Sequence, residues 1–408
     1  MEVLHKRCAG LDVHQQTVVA CARLAQGRQV RHEVATFETT TKGLTSMRQW
    51  LRQLRCTHAA MESTGVYWKP VWQVLEGSVE LLLANAQEVR NVPGRKSDVS
   101  DATWLAELMA HGLIRGSFVP ASTVQALREL SRTRTQLTRE SSRHTQRIQK
   151  TLDAAGIRLT GVISNVLGAT GRAIVEALIA GESDPETLLK LKRKGIRASD
   201  EQLRDALQGR LREHHRLLLR VHLEHVDAIA QTIRELEVRM GELLDPFRQQ
   251  VELLKTMPGI QETAARIVLA EIGFDLGRFP TAAQLVAWAG LCPRNDQSAG
   301  RRRSTHLRHG NAWLRTVLIQ AAWAASRKKD CYLRALYLRL RARRGARKAV
   351  VAVAASMLTS IYYMLCRGQP YAEQAPTHFD QRTRDRIARR LVRRLHDLGV
   401  EVEIKTAA

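Results

Sequence analysis

The feature that most constrains the fold of this 408-residue chain is a change of pattern near residue 115. Before it, short apolar runs typical of strands alternate with helical periodicities. After it, residues from about 120 to 245 have an almost wholly helical pattern. Strands that alternate with helices predict an α/β domain whose helices pack on a mixed sheet, and the rest of the chain predicts a mainly helical architecture. The predicted strands are 9–13, 17–24, 29–37, 58–62 and 79–83, with helices over 44–54, 66–75 and 97–109.

The same pattern divides the chain into four parts. Residues 1–115 form the α/β domain, 116–245 a long helical coiled-coil or linker region, 246–370 a compact helical domain and 371–408 a basic tail. A chain of this length can build several domains, each with its own core. The uncharged run 349–366 reaches the short limit for a membrane span, but it is rich in Ala, Ser and Thr. We therefore expect a buried helix there and no membrane contact.

The charge balance points to a polyanionic partner. Lys and Arg total 64 against 40 Asp and Glu, a formal net charge of +24. Residues 1–115 contain 14 basic and 11 acidic residues, so +21 of that charge lies beyond the first domain. Such an excess is typical of nucleic-acid-binding proteins. The six cysteines lack zinc-ligand spacing and the first ten residues have no apolar signal core, which predicts a cytoplasmic, nucleoid-associated protein.

The helical region contains two long predicted helices, over 122–152 and 200–244, which suggest a helical hairpin or a coiled-coil dimer arm. Basic residues on the first helix are three, four or seven apart and share one face, about 33 Å long at ~1.5 Å per residue. This ridge is either a nucleic-acid-binding surface or a solvated face, and the pattern favours neither. Its members are Arg128, Arg132, Arg139, Arg143, Arg147 and Lys150.

Further along, residues 254–260 lead through a Pro-Gly turn into a helix predicted over 263–272. This pattern resembles a helix-hairpin-helix, in which the amide of Gly259 would help to hold a DNA phosphate. A plain helical connection is the alternative.

Four carboxylates form the candidate catalytic set. Asp12 lies inside an apolar strand, Glu62 ends a second strand, and Asp98 and Asp101 share a helix face. A carboxylate in an apolar strand is costly without a partner or a cation, and Mg²⁺ prefers carboxylate oxygens. The arrangement is that of the ribonuclease-H-like nucleases, where two ions clamp a phosphodiester. Taken singly, each acid could instead be structural, since acids favour helix N-termini.

Several segments together resemble one family. Their order and spacing resemble the DEDD transposases of the insertion-sequence-110 type, which include the Piv invertases, over roughly residues 8–370. The segments are 10–14 (GLDVH), 61–68 (MESTGVYW), 95–102 (RKSDVSDA), 257–260 (MPGI), 289–293 (AGLCP), 298–300 (SAG) and 309–315 (HGNAWLR).

The resemblance implies a RuvC-like N-terminal domain and a C-terminal transposase domain. The four acids would bind Mg²⁺, and Ser298 would be the nucleophile that forms a covalent phosphoserine link to DNA. A non-coding bridge RNA would pair with donor and target DNA, and the enzyme would be a homodimer or homotetramer whose active site joins two subunits. The family has Ser-Gly, whereas Ala299 separates Ser298 from Gly300 here. The following basic residues would steady phosphates or form a solvated loop; they are Arg301, Arg302 and Arg303.

Three functions are therefore compared. The first is an RNA-guided recombinase that needs both the acids and Ser298, and no P-loop for ATP occurs in the chain. The second is a RuvC-like nuclease, such as a junction resolvase, which hydrolyses DNA with water and needs only the acids. The third is a decayed, non-catalytic nucleic-acid-binding protein.

Overall fold

The structure is a computed structural model that forms two compact units, Met1–Pro120 and Ala121–Ala408. Asp98, Ala299, Gly300 and Arg303 lie outside the residues that it describes. The finer division of the second unit at residues 245 and 370 stays a prediction. The described residues are 3–27, 29–62, 65–84, 89, 101–114, 116–294, 297–298, 301–302, 306–373, 388–389 and 391–400.

The first unit contains a five-stranded mixed sheet, which confirms the predicted α/β class. The strand order is β3-β2-β1-β4-β5; β1, β2 and β3 pair antiparallel, and β1, β4 and β5 pair parallel. The strands are β1 (Arg7–Val13), β2 (Thr17–Gln26), β3 (Gln29–Glu38), β4 (His58–Glu62) and β5 (Glu80–Ala84). The helices are α1 (Thr41–Gln53), α2 (Trp68–Leu75) and α3 (Asp101–Ala110).

Helices cover both faces of this sheet because side chains along a strand alternate in direction. Ala9, Leu11 and Val13 of β1 face a core that α1 and α2 complete. Cys8 and Gly10 face α3 on the opposite side. Helix α1 begins three residues earlier than predicted because Thr40 caps it, accepting a hydrogen bond from the Gly43 amide at 3.2 Å.

The second unit is built around two long antiparallel helices, α4 (Ser122–Ala154) and α9 (Glu213–Leu244). Leu127 packs in one core with Met240 and Leu244, and Leu152 packs in another with Leu219. A helical hairpin within one chain therefore accounts for both long apolar patterns. Pairing with a second copy stays a prediction. Four shorter helices lie between them: α5 (Leu159–Val162), α6 (Ala169–Ala180), α7 (Pro185–Leu189) and α8 (Asp200–Leu207).

The predicted single helix over 200–244 is wrong, because the chain leaves the helix between α8 and α9. Gly209 lies against the end of α4, where an added Cβ would be 2.6 Å from the carbonyl oxygen of Ala155. The Arg210 amide donates to that same oxygen at 2.7 Å. The chain must turn at this point to cross α4, and tertiary contact overrides a continuous helical periodicity.

The remaining helices form one apolar core with the base of the long hairpin. They are α10 (Arg248–Lys255), α11 (Glu262–Ile272), α12 (Ala282–Trp288), α13 (Ala312–Ala325), α14 (Tyr332–Arg344) and α15 (Ala346–Arg367), with strands β6 (Gln297–Ser298) and β7 (Arg301–Arg302). Helix α15 is long and apolar enough to span a membrane by length and composition. One of its faces, from Ala349 to Met364, is buried against α10, α12, α13 and α14, as expected of a core helix.

Candidate active site and nucleic-acid interface

Two of the predicted acids lie side by side at one edge of the sheet. Strands β1 and β4 are parallel, and Leu11 pairs with Met61 as the last matched pair. Asp12 and Glu62 are the next residues of the two strands, and neighbouring strands are ~4.8 Å apart. Both residues are half-buried and, by alternation, lie on the face that α3 covers.

Helix α3 brings the third acid to the same edge. The helix runs antiparallel to β1, since Cys8 donates from Sγ to the Ala106 carbonyl while Gly10 lies under Ala102. Its N-terminus therefore points to the end of β1 where Asp12 lies, and Asp101 is its first residue. The positive end of the helix dipole favours carboxylates at this position. The fourth acid, Asp98, lies outside the described residues.

Gly10 lies at this candidate site and had no predicted role. A Cβ on Gly10 would lie 2.0 Å from the carbonyl oxygen of Ala102 and 2.5 Å from the amide nitrogen of Ala106. Only glycine lets α3 approach β1 this closely. The signal was present, because glycine inside a strand often marks a close backbone approach.

His14 is a second residue of this edge that had no predicted role. Its Nε2 lies 3.1 Å from Oδ2 of Asp12, and its side chain is exposed. A contact of this kind fixes the orientation of a carboxylate. Among the described residues, no three His, Cys, Asp or Glu side chains are arranged as a complete ion site. The donor set of carboxylate oxygens nonetheless suits a hard divalent cation.

Ser298 lies on a two-stranded hairpin in the second unit. Strand β6 pairs antiparallel with β7, with Ser298 opposite Arg301. Nearer the core, Pro293 bridges Leu307, and the Arg308 amide donates to the Cys292 carbonyl at 3.1 Å. Arg301 and Arg302 are thus placed on the strand opposite the serine.

Comparison with known proteins places these two sites in two matched regions. A transposase family model, DEDD_Tnp_IS110, matches residues 9–157, and the model of the transposase IS116/IS110/IS902 family matches 251–338. The first region contains all four acids and the second contains Ser298. This chain belongs to the IS110 type of DEDD transposases. It is therefore an enzyme that acts on DNA.

Two curated relatives of this transposase agree with the assignment. One is a probable family 20 transposase of Pseudomonas aeruginosa, 27% identical over 89% of this chain and 94% of the relative. The other is the insertion element IS110 uncharacterized 43.6 kDa protein of Streptomyces coelicolor, 30% identical over 36% of each chain.

The basic ridge of the transposase divides into two groups. Arg139, Arg143, Arg147 and Lys150 are exposed, as the predicted surface requires. Arg128 instead donates to the carbonyl oxygens of Ala270 and Glu271, and burial lowers its pKa to about 10.

Arg132 also bonds within the protein, because its guanidinium donates two hydrogen bonds of 2.8 Å to the buried Glu271 carboxylate. The solvent-facing ridge is therefore shorter than predicted. The periodicity identified a basic face but not the helix that packs against its first turns.

Gly259 lies in the turn between α10 and α11 and has φ +86°. A Cβ on this residue would lie 2.3 Å from the Ala321 carbonyl oxygen of α13. Close packing and a left-handed backbone therefore account for glycine at this position. Phosphate binding by the turn stays a prediction.

A groove of about 390 Å³ lies between α4, α11 and α13. Trp313 lines it, and the guanidinium carbons of Arg132 and Arg139 lie 5.6 and 5.2 Å from the centre of its ring. Aromatic and arginine side chains together are typical of surfaces that bind single-stranded nucleic acid. Trp313 had no predicted role, although it lies within one of the family-like segments.

Proposed function

We propose that this transposase cuts and rejoins DNA with Ser298 as the nucleophile and with Asp12, Glu62, Asp98 and Asp101 as the ligands of Mg²⁺. The observation that best supports the proposal is the placement of Asp12 and Glu62 on adjacent parallel strands, with the Asp101 end of α3 at the same edge. The serine hairpin lies within the second matched region of the family.

The chemistry conserves the phosphodiester energy. Ser298 loses its hydroxyl proton and its oxygen bonds to phosphorus, while the bond to one deoxyribose oxygen breaks and that oxygen takes up a proton. A DNA hydroxyl then attacks the phosphoserine, which rejoins the strand and returns the serine. Asp12 and Glu62 supply carboxylate oxygens, and His14 orients Asp12. These carboxylates would hold Mg²⁺, which when bound would supply Lewis-acid stabilisation of the phosphate charge.

In the proposed reaction, donor and target DNA are the substrates of the transposase and a bridge RNA is the guide. The exposed arginines of α4 and the Trp313 groove provide basic and aromatic surface for these nucleic acids. Assembly as a homodimer or homotetramer would allow the acids of one subunit to act with Ser298 of another.

The test uses the full-length chain with element DNA, target DNA, the RNA transcribed from the element flank, and Mg²⁺. We expect strand transfer and a protein–DNA adduct on a denaturing gel, both abolished by EDTA. Ser298→Ala should abolish both, and so should Asp12→Ala. Matched controls are Ser46→Ala, at an exposed position of α1, and Asp153→Ala, at an exposed position of α4, and both should behave as the wild type.

The outcomes separate the alternative functions. Cleavage that survives Ser298→Ala and leaves no adduct would identify a nuclease that uses water. Intact DNA under all these conditions would identify a non-catalytic binding protein. Activity that survives Asp12→Ala would refute the role of the acids.

A further inference from the structure

Helix α11 contains a carboxylate that is completely buried. Glu271 has no exposed surface, and its two oxygens accept bonds of 2.8 Å from Nε and Nη2 of Arg132. Nδ2 of Asn311 donates to Oε2 at 2.6 Å. A buried charge of this kind is costly unless its oxygens are satisfied, and directional partners then fix its geometry.

Asn311 joins this carboxylate to the start of α13. Its Oδ1 accepts bonds of 3.0 Å from the amides of Trp313 and Leu314, so it is the N-cap of the helix. Its own amide donates to the carbonyl oxygen of Trp288 at the end of α12. One residue thus fixes the end of α12, the start of α13 and the Glu271 carboxylate relative to one another.

The hairpin that contains Ser298 begins and ends beside Asn311. Gly310 packs directly on Gly290, so that a Cβ on Gly310 would lie 2.4 Å from the Gly290 amide nitrogen. Beyond this contact, the Arg294 amide donates to the His306 carbonyl oxygen at 2.9 Å, and Ser298 pairs with Arg301.

We propose that Glu271 and Asn311 are positioning residues that fix the base of this hairpin and thereby the placement of the strand that contains Ser298. The inference rests on the proposed role of Ser298 as nucleophile. Glu271 and Asn311 need not touch DNA for this role. The buried charge network fixes the orientation of the Asn311 side chain, and Asn311 in turn fixes the position of the hairpin base. A network of short directional bonds has one low-energy arrangement, whereas apolar contacts alone permit sliding.

The test is Asn311→Ser. Serine caps a helix as well as asparagine, so α13 should still begin at the same place, but the shorter side chain cannot reach Glu271. We expect backbone hydrogen exchange at Arg294 and Arg308 to accelerate by roughly 10- to 100-fold, since a bond to a charged group is lost. Strand transfer should slow by roughly 10²-fold through misplacement of the nucleophile, with unchanged affinity for nucleic acid.

The matched control is Asn165→Ser. Oδ1 of Asn165 also accepts a backbone bond, from the Leu167 amide at 3.1 Å, but this residue lies beside the other core of the unit. It should leave hairpin exchange and strand transfer at wild-type values.

Three results would overturn the proposal. The first is unchanged exchange at Arg294 and Arg308 in Asn311→Ser. The second is uniformly faster exchange with a lower unfolding midpoint, which would indicate a general structural role. The third is faster hairpin exchange with normal strand transfer. The exchange measurement requires no catalysis, so it stands apart from Ser298→Ala, which tests the nucleophile itself.

Discussion

Replacing Gly10 by alanine should move α3 away from the sheet and inactivate the candidate site that contains Asp12, Glu62 and Asp101. The added Cβ would lie 2.0 Å from the Ala102 carbonyl oxygen, and ordinary contact begins at 3.4 Å, so the helix must retreat by about 1.4 Å. Both close atoms, this oxygen and the Ala106 amide nitrogen, belong to the backbone and cannot rotate away. Overpacking of this kind costs about 1–3 kcal/mol, and we expect a loss near 3 kcal/mol.

The same movement separates Asp101 from Asp12 and Glu62, since Gly10 is two residues from Asp12 on the same face of β1. A displacement near 1 Å lowers catalytic rates by roughly 10²-fold, so strand transfer should fall by about that factor. Urea unfolding of the full chain measures the stability, and strand transfer with saturating DNA and RNA measures the rate.

Gly116→Ala is the matched control within the same unit. A Cβ there would meet only Leu82, at 3.5 Å, and the backbone is not left-handed. Its unfolding free energy should stay within about 0.5 kcal/mol of the wild type. If Gly10→Ala unfolds at the same urea concentration as this control, the packing argument is refuted.

Three further predictions concern charge. Glu107→Ala should cost about 3–5 kcal/mol in urea unfolding, because it leaves the buried Arg23 guanidinium without the carboxylate that Nε contacts at 3.0 Å. Burial and neighbouring His and Arg side chains lower the pKa of His144, so the folded state takes up a proton less readily than the unfolded state. The free energy of unfolding should therefore fall as the pH drops below about 6.5. His144→Gln should reduce this pH dependence. The double variant Arg143→Ala and Arg147→Ala should weaken nucleic-acid binding and reduce the salt slope by about one for each lost phosphate contact, as measured by anisotropy titrations.

The controls for these predictions are exposed residues of the same types. Glu242→Ala removes an exposed ion pair and should cost less than about 1 kcal/mol. Arg239→Ala, at an exposed position of α9, should keep the salt slope. An equal effect of Glu107→Ala and Glu242→Ala, an unchanged pH dependence in His144→Gln, or an unchanged salt slope in the arginine variant would contradict the corresponding prediction.

The sequence determined the α/β class of the first unit and the strands on which Asp12 and Glu62 lie. Alternation and apolar runs locate strands, because each strand must bury one or both faces in a local, periodic way. The same logic located the long helix α4 and the apolar pattern that α9 occupies, although it joined α8 and α9 into one helix. The family resemblance came from a separate signal, the order of short segments along the chain, which needs no contacts.

Only the tertiary structure decided which helix and strand faces pack against other parts of the chain. Arg128 and Arg132 have the same spacing as the exposed arginines, but Glu271 from a segment 139 residues further along neutralises Arg132. The helix predicted over 200–244 ends at Leu207 because the chain must cross the end of α4. Periodicity assigns a residue to a face of its helix or strand, but the atoms packed against that face come from distant parts of the chain. The charge network that holds Asn311 and the close approach of α3 to Gly10 therefore appear only once the chain has folded.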